Sequence, residues 1–109
     1  TIAESARRSV RVLERFARVF PVGRAEAERY EGREHLMSGK TERGLARLAR
    51  AIETARAFDL PVEEARAHAD LARFGPGVAR ERHRDLASAL FTRAGTWGLL
   101  ARMEAELDT

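Results

Sequence analysis

The residues of this chain whose types and spacing could do chemistry are two carboxylate–histidine pairs. Each consists of a glutamate four residues before a histidine, at Glu31 and His35 and at Glu64 and His68. On a helix, residues four apart share one face. Helical di-iron sites instead place Glu and His three apart and take further Glu residues from other helices. Because the spacing differs and Arg33 and Arg66 lie beside the pairs, we expect ion pairs rather than a metal site. His83 has no comparable partner in the sequence.

Other catalytic arrangements are missing from the sequence. There is no Cys, and no Gly-rich strand-to-helix elbow surrounds any of the four Ser. The tripeptide at 39–41, Gly-Lys-Thr, resembles the end of a phosphate-binding loop, but Glu34 occupies the place of the upstream Gly. We therefore predict that 39–41 is a turn between two helices. Because no catalytic arrangement is found, we also predict that the protein is not an enzyme and that it binds no cofactor or metal.

A stripe of arginines runs along the first predicted helix, at Arg7, Arg11, Arg15 and Arg18. Such a stripe could follow a phosphate backbone. Glu14 lies next to Arg18 at four residues, and few aromatic residues are present for base stacking. We favour a solvated helix face, and we keep a small helical nucleic-acid-binding protein as the alternative function.

The composition indicates a bacterial, cytoplasmic and soluble protein. The 17 acidic residues nearly balance the 20 basic ones, of which all but Lys40 are Arg, as the codon bias of a high-GC bacterium would give. The absence of Cys fits a reducing compartment. The chain has neither the roughly 20 apolar residues of a membrane span nor a signal peptide. Because it starts at Thr1 in mid-pattern, we expect a piece of a longer protein.

The elements that must position these residues are helices. Gly and Pro divide the chain into six segments in which apolar residues recur at three- and four-residue spacing. Pro21 ends the first helix, Gly39 closes the second, Thr41 caps the third and Pro61 begins the fourth. The predicted helices span about 2–19, 24–38, 42–58, 61–74, 78–93 and 97–107. The fold class is all-α, with antiparallel neighbours because the connections are short.

A weak internal repeat indicates how these helices are arranged. Four pairs of residues share an offset of 36, namely Gly39 and Gly75, Ala51 and Ala87, Ala55 and Phe91, and Leu36 and Ala72. Helix pairs that recur at a fixed spacing favour a stacked solenoid over a closed bundle. We therefore predict one helical-repeat domain over 1–109. Residues 1–23 would be a helix of a preceding repeat, 24–60 and 61–95 two helix pairs, and 96–109 a capping or next-repeat helix.

The segment 28–61 resembles a tetratricopeptide repeat, a helix–turn–helix unit of about 34 residues. Four slots of that pattern are filled by Gly32, His35, Gly44 and Leu48. Glu28 and Glu31 stand where Trp and Leu would be expected, and a second unit over 64–97 keeps mainly Leu71 and Ala87. The resemblance implies a short, degenerate solenoid of this type.

The phrase at 16–24, Phe-Ala-Arg-Val-Phe-Pro-Val-Gly-Arg, is also similar to the helical-repeat tails of large bacterial signalling proteins. In those proteins the tail follows a nucleotide-binding ATPase module and sometimes a cyclase or kinase domain. The similarity implies that any catalysis belongs to other domains. The expected function is a non-catalytic protein–protein interaction or scaffolding module.

In tetratricopeptide units, the first helices of successive pairs line a concave groove that binds peptides. The resemblance places six residues of this chain in or beside that groove, namely Arg29, Arg33, Leu36, Met37, Arg66 and Arg73. Arg can bind a carboxylate with two hydrogen bonds, so an acidic or C-terminal peptide is the expected partner. A homodimer that forms through exposed apolar helix faces is a second expected interaction.

Overall fold

The computed structural model describes residues 1–17 and 20–109, with the backbone alone over 13–17. Its described residues form six α helices and one short 3-10 turn, and they include no strand, which confirms the all-α prediction. The helices are α1 (Ile2–Ala17), α2 (Pro21–Met37), α3 (Thr41–Ala57), α4 (Pro61–Phe74), α5 (Arg80–Arg93) and α6 (Trp97–Leu107). The 3-10 turn is Gly77–Ala79.

The helix ends follow the Pro and Gly residues closely. Helix α2 begins at Pro21 rather than at 24, because a proline fits the first helical turn, where its missing N–H costs nothing. Gly39, after α2, has a φ of 80°, in the left-handed region that glycine adopts without strain. The prediction that Thr41 caps α3 is wrong. Thr41 is the first residue of α3, and Lys40 stands at the cap position without a side-chain hydrogen bond.

Helix α4 is the central helix of the fold. Each helix packs against the next one along the chain, and α4 also contacts α2 and α6. Two hydrophobic clusters result, and α4 contributes to both. The first joins α2, α3 and α4 around the fully buried Leu48, and the second joins α4, α5 and α6 around Ala87, Phe91 and Met103.

Helices α2 and α3 approach each other most closely where two glycines face. A Cβ atom built on Gly32 would lie 2.8 Å from Cγ of Leu48, and one built on Gly44 would lie 2.6 Å from Cγ of Leu36. Neither distance leaves room for a side chain. The small residues therefore set how tightly the α2–α3 hairpin packs.

Three of the four residue pairs that share the offset of 36 lie in the interior, whereas Gly39 of the fourth pair is exposed. Leu36, Ala72, Ala51, Ala87, Ala55 and Phe91 are all buried. On α6, Met103 is buried while Trp97 is 62% exposed, so Trp97 does not join the core beneath it. In the part of the chain that the structure describes, no helix has the length and apolarity needed to cross a membrane.

Candidate interaction surface

Arg29 lies in the interior, between α2 and α4, and not on a groove surface. Its Nη1 donates a hydrogen bond to Oδ2 of Asp70 at 3.0 Å, and its Nη2 donates to Oε2 of Glu26 at 2.9 Å. The guanidinium carbon is 4.6 Å from the ring centroid of Tyr30. The guanidinium of Arg29 thus joins two helices and two carboxylates.

The electrostatics of this cluster follow from its burial. Burial alone would lower the pKa of Arg29, but the carboxylates of Asp70 and Glu26 outweigh it, so the pKa lies above its ordinary value. Burial raises the pKa of Asp70, and Arg29 limits that rise. A ligand carboxylate could reach Arg29 only by breaking this cluster. The role of Arg29 in the structure is to hold α2 against α4.

The other predicted groove residues divide between core and surface. Leu36 belongs to the first hydrophobic cluster and is 9% exposed, whereas Met37 beside it is 62% exposed. Nη1 of Arg66 lies 3.6 Å from Oε1 of Glu26, so Arg66 borders the buried ion pair. The surface part of the predicted set is therefore Arg33, Met37, Arg66 and Arg73.

Arg33 and Arg73 flank one aromatic ring. The guanidinium carbon of Arg33, on α2, is 5.5 Å from the ring centroid of Phe74, and that of Arg73, on α4, is 5.0 Å from it. Both distances are those of cation–π contacts. Nη1 of Arg73 also lies 3.4 Å from Oε2 of Glu106 on α6. We call Arg33, Arg73 and Phe74 the Arg–Phe rim.

A hollow of about 620 Å³ lies between α1 and α2 and reaches this rim. We call it the α1–α2 groove; its lining includes Ile2, Ala6, Val10, Tyr30, Arg33 and Met37. Ile2 is 91% exposed and Tyr30 is 41% exposed, so much of this apolar surface faces solvent. The sequence-based prediction did not include Ile2 or Tyr30, because a surface shared by two helices depends on how α1 packs on α2.

No family model, curated protein or solved structure matches this chain. The resemblance to tetratricopeptide repeats therefore stays a prediction.

The first carboxylate–histidine pair lies on α2 and is joined by an arginine of α3. Nε2 of His35 lies 3.6 Å from Oε1 of Glu31, and Nε of Arg47, on α3, lies 3.0 Å from the same oxygen. Arg47 thus engages the carboxylate more closely than His35 does. Over the described residues, no group of three or more His, Asp or Glu side chains could hold a metal ion.

The second pair meets a third side chain, His83 on α5. Nε2 of His68 lies 3.6 Å from Oε2 of Glu64, whose Oε2 also accepts a hydrogen bond from Nε of Arg56 at 2.9 Å. On its other side, Nδ1 of His68 is 2.9 Å from Nδ1 of His83. His83 has no carboxylate four residues before it, and its partner is another histidine, because α5 packs on α4 and brings together two residues that are 15 positions apart.

The remaining sequence motifs lie at helix surfaces and turns. Residues 39 and 40 form the predicted turn between α2 and α3, where the N–H of Lys40 donates to the carbonyl of His35 at 2.8 Å. Of the arginine stripe, Arg7 and Arg11 are exposed on α1. The side chain of Arg15 and all of Arg18 lie outside the described residues. Exposure of Arg7 and Arg11 fits a solvated face as well as a phosphate contact.

Proposed function

We propose that this chain is a non-catalytic protein–protein interaction module, built as a short solenoid of stacked helix pairs like tetratricopeptide repeats. Its partner is an acidic or C-terminal peptide segment, bound along the α1–α2 groove and the Arg–Phe rim. The module acts as a scaffold within a larger bacterial signalling or regulatory protein in the cytoplasm.

The packing of alternate helices supports the solenoid part of this proposal. Contacts of α4 with both α2 and α6 are what a stack of helix pairs requires of its first helices. The burial of three of the four residue pairs related by the offset of 36 is a second, independent support, because equivalent core positions in successive repeats are expected to be buried.

The position of Arg33 is the observation that supports peptide binding. Arg33 lines the α1–α2 groove and at the same time lies over Phe74 beside Arg73. Exposed apolar side chains such as Met37 are thereby continuous with two guanidinium groups. A peptide with apolar residues before an acidic end would fill the first part and form charge-assisted hydrogen bonds with the second.

Fluorescence polarisation with labelled peptides tests this function. The probes are short fluorescein-labelled peptides with apolar centres and acidic C-terminal residues, each beside an amidated version that carries Asn and Gln in place of the acids. We expect the acidic peptides to bind and the Arg33→Ala/Arg73→Ala variant to bind them at least about tenfold more weakly, because each charged hydrogen bond is worth about 1.5–3 kcal/mol.

The matched control removes the same charge elsewhere. The variant Arg93→Ala/Arg102→Ala changes two exposed arginines on α5 and α6 and should bind like wild type. Equal loss in both variants, or equal binding of the acidic and neutral peptides, would contradict the proposal. If only nucleic acid binds, with an affinity that falls steeply with salt, the arginine stripe of α1 is the site instead.

A further inference from the structure

His68 on α4 and His83 on α5 meet nitrogen to nitrogen. Their Nδ1 atoms are 2.9 Å apart, the ring centroids are 5.1 Å apart, and the ring planes differ by 27°. The centroid separation is close to the Nδ1–Nδ1 distance plus the two ring radii, so the rings meet edge to edge and do not overlap face to face. At this distance one Nδ1 must carry a proton and the other must offer its lone pair.

The surroundings of His68 indicate which ring donates. Its Nε2 is buried, has no hydrogen-bond partner and lies 3.6 Å from Oε2 of Glu64. A proton on Nε2 would point toward that carboxylate, whereas a lone pair there would be repelled by it. The favoured tautomer of His68 therefore carries its proton on Nε2 and accepts at Nδ1 from Nδ1–H of His83.

Hydrogen bonds tie the first half of α5 to α4 and its C-terminal end at two points, whereas Arg84 pairs with Asp108 beyond α6, at 3.0 Å. The buried residues of α5 are Ala87 and Phe91, both in its second half. In the first half, Nε of Arg80 donates to the carbonyl of Gly75 at 2.9 Å, and His83 contacts His68. His68 itself is 3% exposed, so the contact lies inside the packing of the two helices.

We propose that the His68–His83 pair is a pH-sensitive latch that holds the first half of α5, residues 80–86, against α4. The latch is closed while both imidazoles are neutral, with one proton between the two Nδ1 atoms. A proton added to Nδ1 of His68 would set its N–H against Nδ1–H of His83 in a buried place, so protonation of His68 opens the latch. This inference does not depend on peptide binding by the α1–α2 groove.

The charged groups around the pair set the pH range of opening. Glu64 on α4 favours a protonated His68, whereas Arg56 on α3 opposes it, and Arg82 on α5 opposes protonation of His83. Burial, with His83 next in effect, lowers the pKa of His68 to about 4, and burial followed by Arg82 lowers the pKa of His83. A depressed pKa means that the closed state disfavours protonation of His68. Opening is therefore expected as the pH falls below the ordinary value of about 6.5 toward 4.

Amide hydrogen exchange of the wild-type chain, followed by NMR at pH 7 and pH 5, tests the latch. The measured quantity is the protection factor, which corrects for the intrinsic pH dependence of exchange. We expect protection in the first half of α5 to fall about tenfold or more, because one pKa unit corresponds to a factor of ten, and to stay below that of buried α3 amides at both pH values, because the latch opens without global unfolding. A His35→Asn control, which removes a histidine of α2, should show the same fall.

The variant His68→Asn/His83→Asn removes both titrating rings while keeping amide groups near the two Nδ1 positions. We expect it to lose the pH dependence of protection in α5. Persistence of that dependence in the double variant, unchanged wild-type protection between pH 7 and 5, or protection in the first half of α5 equal to that of buried α3 amides at both pH values would each overturn the proposal. If the double variant does not fold, wild type still decides: the ring ¹⁵N shifts of His68 and His83 must change over the same pH range as protection in α5.

Discussion

Arg29 on α2 and Asp70 on α4 form a buried ion pair, with Nη1 of the guanidinium 3.0 Å from Oδ2 of the carboxylate. Their side chains are 9% and 12% exposed, and Glu26 places a second carboxylate oxygen 2.9 Å from Nη2. Breaking a buried pair by removing one partner leaves an uncompensated charge in the interior. The Arg29–Asp70 pair is thus a point at which the alignment of α2 on α4 is sensitive to a single substitution.

The variant Arg29→Met is expected to be strongly destabilised. It leaves the carboxylates of Asp70 and Glu26 buried beside each other without their cation, and the free energy of unfolding should fall by about 3–5 kcal/mol. Urea denaturation followed by circular dichroism at neutral pH measures the loss. Adding Asp70→Leu to Arg29→Met should recover part of it, because the uncompensated buried charge on α4 is then gone.

Arg102→Met is the matched control for this experiment. Arg102 is exposed on α6, and its replacement should change the free energy of unfolding by less than about 0.5 kcal/mol. If Arg29→Met is no more harmful than Arg102→Met, the buried ion pair between α2 and α4 does not form.

A second prediction concerns the close approach of α2 and α3. Gly32→Ala places a methyl group 2.8 Å from Cγ of Leu48 and 3.0 Å from the carbonyl oxygen of Gly44. Overpacking typically costs about 1–3 kcal/mol, and the better helix propensity of Ala returns up to about 1 kcal/mol. The net expectation is a less stable protein, measured as a lower urea midpoint.

Gly98→Ala separates the steric effect from helix propensity. Gly98 lies in α6, and a Cβ atom added there meets no atom within 4 Å. This variant should therefore be stabilised, by up to about 1 kcal/mol. If Gly32→Ala were stabilised as well, the contact between α2 and α3 would be looser than the structure has it.

The helices themselves were predictable from local signals. Pro21, Gly39 and Pro61 mark ends or starts of helices because their backbone restrictions act within a few residues. The buried residues Leu48 and Ile52 of α3 are four positions apart, which is the spacing that predicts one face of a helix. These features depend on the sequence near them and hardly on the rest of the fold.

The candidate surfaces could be predicted only in part, because they depend on which helices meet. Arg29 and Arg33 are four residues apart on the same helix, so the sequence pattern does not tell the buried one from the surface one. What distinguishes Arg29 is that Asp70 of α4 packs against it. His83 gained its partner in the same way, through contact between α4 and α5. Spacing within one helix carries no information on such contacts.

A third prediction follows from the conformation of Gly39. Its φ of 80° lies in the region where a Cβ atom costs about 1–2 kcal/mol, although no neighbouring atom lies within 4 Å of the added Cβ. Gly39→Ala should therefore lower the melting temperature by several degrees, since about 1 kcal/mol corresponds to roughly 4–8 °C in a domain of this size. Gly77→Ala, which has equal space and no left-handed φ, should not lower it.

The last prediction is a pH dependence of global stability that His68 causes. Its pKa is lowered from 6.5 to about 4 by burial, with His83 next, so the unfolded chain binds this proton more readily than the folded chain. The contribution of His68 to stability is therefore complete above its pKa in the unfolded chain and is lost as the pH falls toward its pKa in the folded chain. Between pH 7 and 5 the loss in the free energy of unfolding is about 2 kcal/mol.

Urea denaturation of wild type, His35→Asn and His68→Asn at both pH values measures this loss. His35→Asn should show the same difference in the free energy of unfolding between pH 7 and 5 as wild type. In His68→Asn this difference should be smaller by about 2 kcal/mol, because the Asn side chain binds no proton in this range. A difference of the same size in His68→Asn would show that other groups cause the pH dependence and that burial of His68 carries no penalty for its protonated form.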